Sequence, residues 1–117
     1  WTVAAAALGR FAAENRWDAE AHGMLALELL QGGKTQAALD PLDRALRLSE
    51  RADWLRQRAL VRFAVGNPTA ALADCDRLAE MQPPDDDLVL MRSVILGALS
   101  RHHDAEKELT RAITASP

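Results

Sequence analysis

Few residues in this chain are equipped for chemistry, and their spacing argues against most of it. Three histidines are present. His22 stands just before Gly23 in an apolar stretch, and His102 and His103 are adjacent, so on a helix their side chains would point in different directions. None has a carboxylate or cysteine partner at a zinc-binding spacing, and no metal site is expected. The run Asp85-Asp86-Asp87 reads as a solvated cap at the positive end of a helix. Cys75 is the single cysteine, so no internal disulfide or cysteine-based zinc site can form, and it reads as a small buried hydrophobe. Gly32-Gly33 is explained as a helix stop and turn, and no phosphate loop, nucleophile elbow or paired-acid motif occurs. No catalytic residue and no cofactor is expected.

The elements that would position these residues follow from composition and period. About half of the 117 residues are apolar, mostly Ala and Leu, with two Phe and no Tyr. That balance favours close-packed helices over strands, in one all-α domain. Net charge is −3, which offers no basic excess to neutralise phosphates, so nucleic acid is not an expected partner. No apolar run approaches the roughly 20 residues needed to cross a bilayer, so membrane insertion is not expected. The Ala-rich start, Val3 to Leu8, lacks the basic segment of a signal peptide, and the opening on Trp1 suggests a piece of a longer protein. A soluble cytoplasmic or periplasmic chain is expected, its compartment unknown. The excess of Arg over Lys and the abundant Ala suggest a GC-rich bacterial source.

Three segments align. Ala38, Ala71 and Ala105 recur at nearly constant intervals, as do Arg44, Arg77 and Arg111 and the turn residues Gly33, Gly66 and Ser100. Pro83 and Pro117 close the second and third units, where the first has Glu50. Helix starts are marked by Asp18, by Asn67-Pro68 and by the acidic run. The predicted helices are 2–14, 19–31, 35–48, 53–65, 68–81, 86–99 and 102–115. Ala4, Leu8 and Phe11 would form the apolar face of the first, and Pro41 predicts a kink in the third. Trp17 and Trp54 are expected to pack at helix starts, as hydrophobic staples do. Loops this short force antiparallel neighbours.

This pattern resembles the tetratricopeptide repeat (TPR) over nearly the whole chain. The second unit matches best, through Arg58-Ala59, Gly66, Ala71-Leu72, Leu78-Ala79 and Pro83. The resemblance implies a right-handed α-solenoid of three hairpins, at about 19–50, 52–83 and 86–117, preceded by one helix. It also implies a protein-binding role, on a concave face lined by the first helix of each hairpin. Carried onto this chain, the groove positions form four rows: Glu20, Asp53 and Asp87; Gly23, Arg56 and Leu90; Leu27, Leu60 and Val94; Leu30, Phe63 and Gly97. The candidate binding residues are Gly23, Leu27, Leu30, Arg56, Leu60, Phe63, Leu90 and Val94. Such apolar rows either line an open interaction groove or are partly buried between hairpins. The family's clamp for the carboxylate tails of chaperones needs Lys, Asn and Arg, but the matching positions hold Gly23, Leu27, Gln57, Asp87 and Met91, so no chaperone clamp is expected. The expected partner is a protein or peptide that offers an apolar or amphipathic segment, with Arg56 orienting it. The alternative is a structural role through self-association as a homo-oligomer, since solenoid ends expose apolar faces unless capped. An enzyme would need a separate domain, to which this chain would be a non-catalytic part.

Overall fold

The computed structural model describes residues 3–99 together with 106, 107, 109, 110, 113 and 114. Among these, all regular structure is helical: α1 Val3–Glu14, α2 Ala19–Gln31, α3 Leu39–Leu48, α4 Ala52–Ala64, α5 Pro68–Met81 and α6 Asp86–Ala98, with a 3-10 turn at Gln36–Ala38. Residues 106, 107, 109, 110, 113 and 114 are helical too. The expectations that rest on Trp1, Ser100, His102, His103, Ala105, Arg111 and Pro117 lie outside the described residues.

Local chemistry sets the helix ends. At the start of α2 the Asp18 side chain accepts from Ala21 N, at α5 Asn67 accepts from Ala70 N, and at α6 Asp85 accepts from Leu88 N, at 3.2, 3.3 and 2.8 Å. Each satisfies a backbone donor that the helix cannot. The stops of α2 and α4 are built alike. Gly33 and Gly66 take φ of +77° and +88°, a region costly for a residue with a Cβ. This reversal lets Lys34 N donate to Leu29 O and Asn67 N to Arg62 O, both at 2.8 Å. The repeated glycines therefore mark repeated geometry.

Two expectations change at this level. Around Pro41 the predicted helix 35–48 is divided: the chain first makes the 3-10 turn Gln36–Ala38 and starts α3 at Leu39. Pro41 then occupies the first turn of α3, where a backbone N–H has no intrahelical acceptor to lose. On α1 the buried residues are Ala5 and Ala12 with Leu8 partly covered, while Phe11 and Ala4 are exposed, so the packing face is rotated from the predicted one.

Each helix packs chiefly on its sequence neighbours, from α1 on α2 through to α5 on α6. The result is elongated, 48 × 25 × 21 Å, with a radius of gyration of 15.7 Å. A compact chain of this length would have about 13 Å. Two apolar clusters make up the core. The first joins α1, α2 and α3 with Trp54 and Val61 of α4; the second joins Leu55 and Ala59 of α4 with α5 and α6. Leu46 packs against both, so the core is continuous. Ala26, Ala38, Ala45, Ala59 and Ala71 are completely buried at the crossings, where only a methyl group fits between close backbones. Leu29, Leu42, Leu78 and Leu88 fill the remaining space, each worth about 1.5–3 kcal/mol of burial.

Candidate functional site

The predicted rows lie on α2, α4 and α6, and the structure separates them into an exposed part and a buried part. Leu60 is 52% exposed, Leu90 55% and Val94 58%, and Leu27 is also open to solvent. Phe63 is half-buried, packed against the second core cluster. Leu60, Phe63, Leu90, Met91, Val94, Ile95 and Asp87 line one depression of about 340 Å3 between α4 and α6. Four of the eight predicted residues thus share a single concavity. Exposure of this much aliphatic surface at adjacent helical positions marks a place where an apolar partner would gain by covering it.

The α2 end differs. Gly23 is buried, and a Cβ on it would fall 2.6 Å from the Trp54 indole, so no ligand reaches it. Its place in the predicted site is corrected: Gly23 is a seat for Trp54, and the absence of a side chain is what lets α4 approach α2. Leu30 is half-buried against the first core cluster, a wall more than a contact. Trp54 packs at its helix start as expected, with the Arg51 guanidinium 4.3 Å from the ring centroid. Trp17 does not pack, being 81% exposed. It lies in the turn between α1 and α2.

Arg56, expected to orient a ligand, is half-buried and pairs with Asp85, Nη2 to Oδ2 3.1 Å. The Leu88 backbone N–H, followed by Arg56, holds the Asp85 carboxyl below the usual carboxylate range. Arg51 binds Asp53, Nη2 to Oδ2 2.9 Å, and also Glu20, so the starts of α2 and α4 are joined by one guanidinium. Met24, Met91 and Ile95 were missing from the predicted rows, and Asp87 stood in the first row without being counted among the eight binding residues. Met24 is exposed one turn from Leu27, and the other three line the depression. Met91 and Ile95 carry a readable signal, since both lie on the apolar stripe of α6 with Leu88; which side of that stripe opens to solvent depends on how α6 docks.

A second concavity, about 320 Å3, lies where α3 meets α4 and is lined by Asp43, Leu46, Arg47, Glu50, Leu55, Arg58 and Arg62. Beneath it Asp74 of α5 is 3% exposed and accepts from Arg58 Nη2 at 2.8 Å and Arg62 Nη1 at 3.0 Å, while Arg58 Nη1 reaches Asp43 of α3 at 2.9 Å. Burial works against the Arg58 charge, and the bonds to Asp74 and Asp43 outweigh it, so its pKa lies above the ordinary value. Asp43, Arg58, Arg62 and Asp74 are all paired with one another, and the cluster ties three helices together. Cys75, adjacent to Asp74, is fully buried with its Sγ 3.5 Å from Met91 Sδ, and burial pushes the thiol pKa up to about 11. That is the inert buried residue expected from the sequence. His22 is 2% exposed with Nε2 3.1 Å from Arg16 O, a packed side chain and not an open ligand. Among the described residues no group of His, Cys, Asp and Glu could hold a metal ion, and no helix is long and apolar enough to cross a membrane.

No family model and no curated protein matches the sequence. Among solved structures, 27 chains match. A crystal structure of MamA protein superimposes with a TM-score of 0.87 at 22% identity, over 95% of this chain and 61% of that one. A second crystal structure of MamA gives 0.86 at 22% identity, over 95% of this chain and 66% of that one. YrrB, described as a TPR protein with an unusual peptide-binding site, gives 0.76 at 23% identity, over 96% of this chain and 58% of that one. The chain therefore spans about three fifths of the length of these structures. Superposition at this level is sensitive to hand, so the superhelix winds as theirs does. Capped helices, glycine stops, alanine crossings and nearest-neighbour packing together make this an all-α helical solenoid with the tetratricopeptide fold.

Proposed function

We propose that this chain is a protein-interaction module, without catalytic activity of its own, that binds an apolar or amphipathic segment along the α2–α4–α6 face. The observation that carries the reading is the depression between α4 and α6, in which Leu60, Phe63, Leu90 and Val94 form aliphatic and aromatic walls open to solvent. Its size suits a few apolar side chains projecting from a helix or extended segment. Leu27 and Met24 extend the exposed apolar surface across α2. The description of YrrB as a peptide binder on the same fold supports this use, and the absence of Lys, Asn and Arg from the clamp positions argues against a chaperone tail. The test is Leu60→Glu in a pull-down from the source cell. Loss of the captured partner with an unchanged melting temperature is expected. Full capture by the stable variant would refute the use of the groove, and collapse of the fold would refute its openness.

A second reading, self-association, is favoured by one observation: Val3 and Phe11 of α1, neither of which lines the α4–α6 depression, are exposed apolar side chains. Light scattering across a concentration series separates the two. A dimer that survives Leu60→Glu but not Phe11→Ser would assign oligomerisation to α1.

A further inference from the structure

Resting on the groove reading above, we propose that the segment accepted by the groove is an apolar peptide flanked by Lys or Arg, whose positive end lies against Asp87. The depression has walls almost wholly of carbon and one charged residue, Asp87, in the first turn of α6. The starts of α2, α4 and α6 lie along one edge, bridged from Glu20 through Arg51 to Asp53 and from Arg56 to Asp85. Both cations of that edge are therefore engaged by its own carboxylates. Asp86 and Asp87 are exposed and have no ion-pair partner among the described residues. The α6 N-terminus supplies roughly half a positive charge, which two carboxylates more than offset, so the field at this end of the groove is negative. An anionic peptide is repelled there, an uncharged one gains only from the apolar walls, and a cationic flank gains from both. The pairing of Arg56 removes the one attraction that an acidic ligand could have used.

Selection of a random peptide library displayed on phage, against the 117-residue chain, tests this. Enrichment of peptides with an apolar core and Lys or Arg at one end is expected. Enrichment of apolar peptides without charge bias, or with acidic ends, overturns the proposal and leaves the groove reading intact. Peptides that bind Leu60→Glu equally well, or a failure to enrich apolar peptides at all, overturn the groove reading and the proposal with it. For the best cationic peptide, Asp87→Asn should weaken binding about two- to fivefold at low salt and leave unchanged the binding of the same peptide with its Lys replaced by Gln. Equal loss for both peptides would show that Asp87 acts through the fold and not through charge. A thermal melt of Asp87→Asn read alongside confirms that the variant is folded.

Discussion

The two sides of α4 make opposite use of the same helix. One side presents Leu60 and Phe63 to the α4–α6 depression, carbon surface left open to water. The other presents the half-buried Arg58 and Arg62 to buried Asp74 and half-buried Asp43, charges partly withdrawn from water and paired with one another. Intuition from composition would bury the leucine and expose the arginines. The difference teaches that in a solenoid helix, position across the stack outweighs residue type: a face packed between α3 and α5 is largely covered even when charged, and a face lining the α4–α6 groove stays exposed even when apolar. Burial of Asp74 is sustainable because each of its carboxylate oxygens accepts from guanidinium N–H groups of Arg58 and Arg62. Exposed carbon is sustainable because a few leucines cost little until they find a partner.

The comparison can be broken most forcefully at Asp74. Asp74→Ala leaves Arg58 and Arg62 half-buried and short of their acceptor, and should cost about 3–5 kcal/mol in urea melts. A loss under about 1 kcal/mol would show that water replaces the carboxylate and that the cluster holds little together. Next in size is Ala71→Leu, expected to cost about 1–3 kcal/mol, because the fully buried methyl group sits at a crossing with no room for extra methylenes. An unchanged midpoint would contradict that packing. Leu60→Glu, on the opposite side of α4, should change stability by no more than about 0.5 kcal/mol, since the side chain already faces water. The contrast between Asp74→Ala and Leu60→Glu is the comparison in one experiment: removing a charge unfolds the protein more readily than adding one.

Two smaller effects sharpen it. The Cys75 thiol, with its pKa near 11 and no exposure, should resist a disulfide reagent at pH 8 and react only as the chain unfolds. Fast labelling in buffer would mean that α5 and α6 separate locally. For Asp85 the folded-state pKa is depressed, so its contribution to stability is present above the ordinary carboxylate range and is lost as pH falls through the lower folded value. Acid titration of the melting temperature should therefore show a smaller drop in Asp85→Asn than in the parent chain, and an identical drop would remove Asp85 from the account.

By itself the sequence determined the helices, their ends and their repetition. Asp18, Asn67 and Asp85 supply side-chain acceptors, and Gly33 and Gly66 allow the left-handed turn, all through contacts within a few residues, so the information is local. The alanine crossings were legible for a related reason: the near-constant spacing of Ala38 and Ala71 repeats the same contact. What the tertiary structure alone decided concerns residues far apart in the chain. Gly23 stood in a row of groove positions, and its burial became visible only when Trp54 of another hairpin was placed against it. Arg56 read as a free cation until Asp85 reached it from the next repeat. Trp17 and Trp54 look alike as aromatic residues at helix starts, yet one is buried and the other open, because only Trp54 faces a gap between two helices. Pro41 falls between these cases, since its restriction on the backbone is local while the 3-10 turn before it carries Ala38 into the core. Periodicity reports which residues share a side of a helix; only the docking of one helix on the next decides whether that side is core, ion pair or groove, because burial is a property of the neighbours as much as of the residue.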